Sequence, residues 1–109
     1  MIKHIVVFRL KADASAEKRE AVLAEYAIFL GMFPTMRRLD IGRNESARDQ
    51  TFEYGFVMEF DDKAGLDAYL LSKEHEEHVV ERFRPIMEQR AIVSFPYDPA
   101  QQGKILNPG

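Results

Sequence analysis

The opening strand constrains this chain more than any other stretch. Ile2-Lys-His-Ile-Val-Val-Phe-Arg-Leu10 is rich in β-branched and aromatic residues and reads as a β-strand. Over its middle both faces are apolar: His4, Val6, Phe8 and Leu10 alternate with Ile5 and Val7. A strand of that kind has to be covered on both sides. The chain has 109 residues, enough for a single core and little more. Whatever covers the second face is therefore scarce.

The remaining elements follow from periodicity. Ser15 is a fair N-cap for a helix from Ala16 to about Phe33, with Val22, Tyr26, Phe29, Leu30 and Phe33 on one stripe. Pro34 ends it. Met36 to Gly42 reads as a second strand, and residues 43–51 as a polar loop. In the third strand, Phe52, Tyr54, Phe56, Met58 and Phe60 alternate with Glu53, Gly55, Val57 and Glu59. Asp61-Asp62 opens a helix whose inner face holds Leu66, Tyr69 and Leu70. Ser72 looks like a second N-cap, so this helix breaks and restarts as Lys73 to Arg84, with His75, Val79, Arg82 and Phe83 sharing a side. Pro85 interrupts it, and residues 90–95 form a last strand. From Pro96 the chain is weakly hydrophobic and reads as an extended or partly disordered tail.

The order is β-α-β-β-α-β, a split βαβ or ferredoxin-like α+β arrangement with a four-stranded antiparallel sheet and both helices on one face. The expected division is a domain over 1–97 and a tail over 98–109. Two helices cover one sheet face only. The other, expected to carry Ile5, Val7, Leu39, Ile41, Val57, Val93 and Phe95, would leave a large apolar patch in water. A second copy laid sheet to sheet buries it, so a homodimer through the sheet face is expected; burial under the tail is the alternative.

Composition removes several classes of function. Acids and bases interleave and the net charge is −3, which leaves no basic stripe for nucleic acid. The absence of cysteine excludes disulfides and thiolate metal sites and fits a reducing compartment. The first apolar run is interrupted by Arg9 and is too short for a signal peptide or membrane span, so a cytoplasmic protein without a membrane partner is expected.

Three residues are the best candidates for chemistry. A neutral His75 imidazole can take a proton from carbon beside a carbonyl, and the Tyr69 phenol can donate to the enolate oxygen that forms. His4 shares a strand face with Val6 and Phe8. Each also has a structural alternative: His75 capping backbone or packing on Phe8, Tyr69 and His4 as core residues with a polar tip. Tyr26 and Tyr54 could add hydroxyls to the same cavity. His75 and His78, three apart, lack a full set of metal ligands and read as solvated side chains of a Glu-rich helix, and no metal or cofactor is expected. Arg37-Arg38 and Arg82-Arg84 could meet a carboxylate or coenzyme phosphate, with surface pairing to nearby acids as the alternative.

Several stretches together resemble a known family. Ile2 to Lys11, the block Tyr54-Gly-Phe-Val-Met-Glu-Phe-Asp-Asp62, then Leu66, Asp67, Tyr69 and His75, and the closing Arg90 to Pro99 are similar to the Dabb, or stress-responsive A/B-barrel, domains. The resemblance implies a dimeric α+β barrel. Some members are stress proteins without an established reaction; others resemble a plant polyketide cyclase. In that enzyme a histidine at the place of His75 acts with a tyrosine at the place of Tyr69, and one at the place of His4 lines the cavity. The resemblance thus implies His75, Tyr69 and His4 as catalytic residues; Val6, Phe8, Tyr54 and Phe56 on the helix-facing side of the sheet, and Tyr26 above it, are expected around a small hydrophobic or carbonyl ligand. Two departures stand out. Ser72-Lys73-Glu74-His75 replaces the frequent His-Pro-x-His, and Tyr54 stands where the cyclase has a cavity histidine. A cofactor-free enzyme on a carbonyl or polyketide-like substrate is one implied function; a non-catalytic binding module and a cofactor-free oxygenase are others.

Overall fold

The computed structural model describes residues 1–107. Four strands form one antiparallel sheet in the order β2-β3-β1-β4: β1 Ile2–Leu10, β2 Met36–Arg43, β3 Tyr54–Phe60 and β4 Met87–Pro96. Between them lie α1 Ala16–Glu25, α2 Lys63–Leu70 and the three-residue α3 Lys73–His75. The ferredoxin-like α+β order expected from the sequence is the observed one.

Alternation sets the core. His4, Val6, Phe8 and Leu10 of β1 are buried, as are Tyr54, Phe56, Met58 and Phe60 of β3. These side chains face the helices, which return Val22 from α1 and Leu66 and Tyr69 from α2. The first helix is shorter than its stripe suggests. After Glu25 it tightens into a 3-10 turn over Tyr26–Phe29, which buries Tyr26 and Phe29 and leaves Leu30 exposed. Gly31, at φ 95°, then turns the chain toward β2, a conformation that favours glycine. Asp62 caps α2 by accepting from the Gly65 amide at 2.8 Å. A Cβ on Gly65 would collide with the Thr35 side chain, so glycine here lets α2 settle low over the sheet.

The opposite sheet face departs from expectation in one strand. Leu39 pairs with Met58 and Ile41 with Phe56, so both point to the helix side. A register shift between Met36 and Arg38 sets this, and no β2 apolar residue reaches the open face. That face holds Ile5, Val7 and Val57, half-buried, and Val93 and Phe95, which are 53% and 40% exposed. The tail is not simply extended. The Tyr97 amide donates to the Met1 carbonyl at 2.9 Å and a turn follows at Asp98–Gln101. The Tyr97 hydroxyl donates to Glu59 at 2.5 Å and the Lys3 ammonium lies 4.7 Å from its ring, so the tail covers one end of the open face. The last two residues of the expected tail, 108–109, lie outside the described residues.

Candidate functional site

The three residues singled out above converge. The sheet side comes from β1, whose alternation turns His4 inward to 5% exposure. His4 lies opposite Ser94 of β4, and its Nδ1 is 2.8 Å from the Ser94 hydroxyl oxygen. The helix side is fixed by Ser72. Its hydroxyl donates to the Tyr69 carbonyl at 2.6 Å and accepts from the His75 amide at 3.1 Å. One side chain thus ends α2 and starts α3, which brings Tyr69 and His75 together. Their rings meet edge to face at 5.0 Å, and Tyr69 lies 6.5 Å from the His4 ring on its other side. His75 therefore packs on Tyr69 and not on Phe8.

These rings border a cavity of about 70 Å³ between sheet and helices. Val6, Phe56 and Tyr26 line it. Phe8 and Tyr54 do not. Phe8 is fully buried between Tyr54, at 5.5 Å, and Phe83, at 4.8 Å. The Tyr54 hydroxyl accepts from Arg43 at 3.1 Å, toward the β2 edge. Two larger hollows, of about 530 and 710 Å³, lie by the polar loop and under the tail, and neither is lined by an imidazole.

After α3 the helix continues over Glu76–Phe83 as a π-helix, with the Arg84 amide donating to the Val79 carbonyl. The i→i+5 ladder changes which side chains share a face. His78, expected in solvent, is 1% exposed, while Arg82, expected on the inner side, turns out and pairs with Glu25. His78 sits 4.4 Å from the Tyr26 ring with its Nδ1 2.9 Å from the Glu25 carboxylate. Its only sequence signal is a place five residues before Phe83, legible once the π period is known. Arg37 and Arg38 make surface pairs with Asp61 and Asp40. Sequence reasoning also passed over Arg90 and Ile92. Both lie on β4 opposite Phe8 and Val6, and so on the cavity side.

The electrostatics favour uncharged rings. Burial, then the Arg84 cation, with further contributions from His4, His78 and Arg90, lowers the His75 imidazole to about 4. Burial also lowers His4. Burial raises the Tyr69 and Tyr26 phenols well above their ordinary range. At neutral pH the cavity presents neutral imidazoles and intact phenols: a lone pair able to accept a proton beside a hydroxyl able to donate one. Among the described residues, no group of three or more His, Cys, Asp or Glu side chains is arranged to hold a metal ion. No described helix is long and apolar enough to cross a membrane.

Solved structures that share this fold include the following three. A hydroxynitrile lyase from Passiflora edulis is 20% identical with a TM-score of 0.81, over 90% of this chain and 94% of that one. A dimeric ferredoxin-like protein of unknown function from Thermobifida fusca is 20% identical with a TM-score of 0.77, over 88% and 90%. A Dabb family protein with a ferredoxin-like fold from Mesorhizobium loti is 25% identical with a TM-score of 0.76, over 88% and 95%. Among curated proteins no sequence matches. Residues 2–97 match the family model described as Stress responsive A/B Barrel Domain. The chain belongs to the Dabb, or stress responsive A/B barrel domain, family.

Proposed function

We propose that the cavity is a small-molecule site for cofactor-free proton transfer on a small carbonyl compound, in a protein that acts as a homodimer. The observation that carries this reading is the convergence of His4, Tyr69 and His75 on one enclosed space. Neutral His75 removes a proton from the carbon beside the carbonyl. The C–H electron pair moves toward the oxygen, where the Tyr69 hydroxyl donates to the developing enolate. His4, tied to Ser94, is the second imidazole against the same substrate. A hydroxynitrile suits the same groups: the base takes the hydroxyl proton, the carbonyl forms and cyanide leaves. The size of the cavity favours a small compound over an extended polyketide, because about 70 Å³ is well below the roughly 300–1,000 Å³ of drug-sized sites.

The dimer reading rests on the open sheet face, where Val93 and Phe95 keep half or nearly half of their surface in water. A second copy laid on that face would bury them, and the Thermobifida fusca neighbour is described as dimeric. Sedimentation would then give twice the chain mass of 12.6 kDa. A chain without cysteine fits a cytoplasmic setting.

The catalytic reading is tested by hydrogen–deuterium exchange at the α-carbon of small ketones in D2O, followed by NMR. The wild type is expected to accelerate exchange by about 10²–10⁴ over buffer, the range for a positioned general base. His75→Ala should lose that acceleration while keeping its circular dichroism spectrum. Equal rates with the two proteins would overturn the assignment.

A further inference from the structure

The cavity has a charge pattern that the proton-transfer chemistry does not use. Arg84 and Arg90 both line it, and both are exposed at its rim beside the half-exposed Ile92. They come from different elements: Arg84 from the turn after the π-helix, Arg90 from β4. No aspartate or glutamate lines the cavity. Arg9, Arg19, Arg37, Arg38 and Arg82 pair with carboxylates; among the described residues Arg43, Arg48, Arg84 and Arg90 make no salt bridge, and of these four only Arg84 and Arg90 line this cavity. Two guanidinium groups without acid partners, at the rim of a cavity otherwise lined by aromatic and aliphatic side chains, are an anion-binding arrangement.

We propose that the substrate is a small carbonyl compound carrying a carboxylate, which Arg84 and Arg90 hold at the cavity rim while its carbonyl end enters between Tyr69 and His75. This rests on the proton-transfer reading of the same site and adds the substrate's charge. The carboxylate accepts from the guanidinium N–H groups and fixes the distance from anion to reacting carbon. It also acts on the base. The two cations help hold the His75 imidazole low in the free protein. Other charged or titratable groups near His75 are the Tyr69 phenol, whose ring is 5.0 Å away, Tyr26 and His4 across the cavity, and His78 on the next turn. A bound anion offsets Arg84 and Arg90, so the His75 imidazole rises on binding and becomes the stronger base in the complex. By linkage, the anion then binds more tightly as pH falls through that raised value.

The test compares acetoacetate with its uncharged methyl ester, both titrated into the wild-type protein and followed by the His75 ring signals in NMR. Acetoacetate is expected to bind at least tenfold more tightly, to raise the His75 titration midpoint, and to weaken as salt rises. Arg90→Gln and Arg84→Gln change exposed side chains. Each should remove most of the preference for the acid and leave the affinity for the ester within twofold. Equal affinity for acid and ester overturns the anion assignment and leaves the proton-transfer site standing. If neither compound moves the His75 signals, both readings fall together.

Discussion

The broken helix carries two imidazoles three residues apart, each against a phenol, Tyr69 from α2 and Tyr26 from the turn after α1, and the two have opposite surroundings. His75 meets Tyr69 edge to face at 5.0 Å; His78 meets Tyr26 edge to face at 4.4 Å. The first pair borders a cavity with two arginines at its rim. In the second, His78 is sealed at 1% exposure against a carboxylate, Glu25, and the Tyr26 hydroxyl is buried without a partner. The side-chain chemistry is nearly the same. Both phenols border the cavity; what separates the pairs is the access of the imidazole, since His75 reaches the cavity and His78 does not, and that is set by the switch from α3 to the π-helix.

The sharpest way to break this contrast is to remove each imidazole in turn. His78→Ala empties a sealed position and should cost roughly 2–5 kcal/mol of stability, as for other large core side chains cut to alanine. Thermal unfolding measures it. His75→Ala should cost stability far less and catalysis far more, so the exchange assay and the melting curve should rank the two variants in opposite orders. The same ranking in both assays would mean that the two pairs do not differ in kind.

The phenols give a finer comparison. Tyr69→Phe removes the donor to the developing oxyanion and should slow exchange by about 10²–10³, with the fold retained. Tyr26→Phe removes a hydroxyl that has no partner to lose. It should leave the rate unchanged and stability unchanged or raised, by up to about 1–3 kcal/mol. Unfolding in urea and the exchange rate together separate these outcomes.

Acid tests the same contrast through protonation. The folded-state value of His75 is lowered to about 4, below the unfolded value near 6.5. Between those values the unfolded chain binds more protons, so stability falls as pH drops below about 6.5 and levels off below about 4. His4 and His78, lowered in the same direction, add to the slope. His75→Gln should flatten it without removing it. In the free protein, activity that depends on neutral His75 should persist well below pH 6.

Much of this site was legible before any coordinates. Alternation in β1 put His4 with Val6 and Phe8, and the Ser72 cap put a break between Tyr69 and His75. Those are local signals, read from neighbours in sequence. The misplaced residues share a different cause. Leu39 and Ile41 were assigned to the wrong face because a strand's alternation says which residues share a side, and pairing with β3 says which side that is. His78 turns in and Arg82 turns out because the chain runs with a π period there and not the α period that its sequence suggests. Phe8 and Tyr54 were expected at the cavity because they share its sheet face, but Phe83 fills the space above Phe8.

By itself the sequence determined the order of elements, the helix-facing sides of β1 and β3, the place of His4 on that side, and the Ser72 break between Tyr69 and His75, because each rests on spacing along one strand or one cap. Tertiary structure decided the rest: the β2 register, the burial of His78, the size of the cavity and the arrival of Arg84 and Arg90 at its rim. Those depend on how distant segments settle against one another. No periodicity within a segment encodes the space left between two of them.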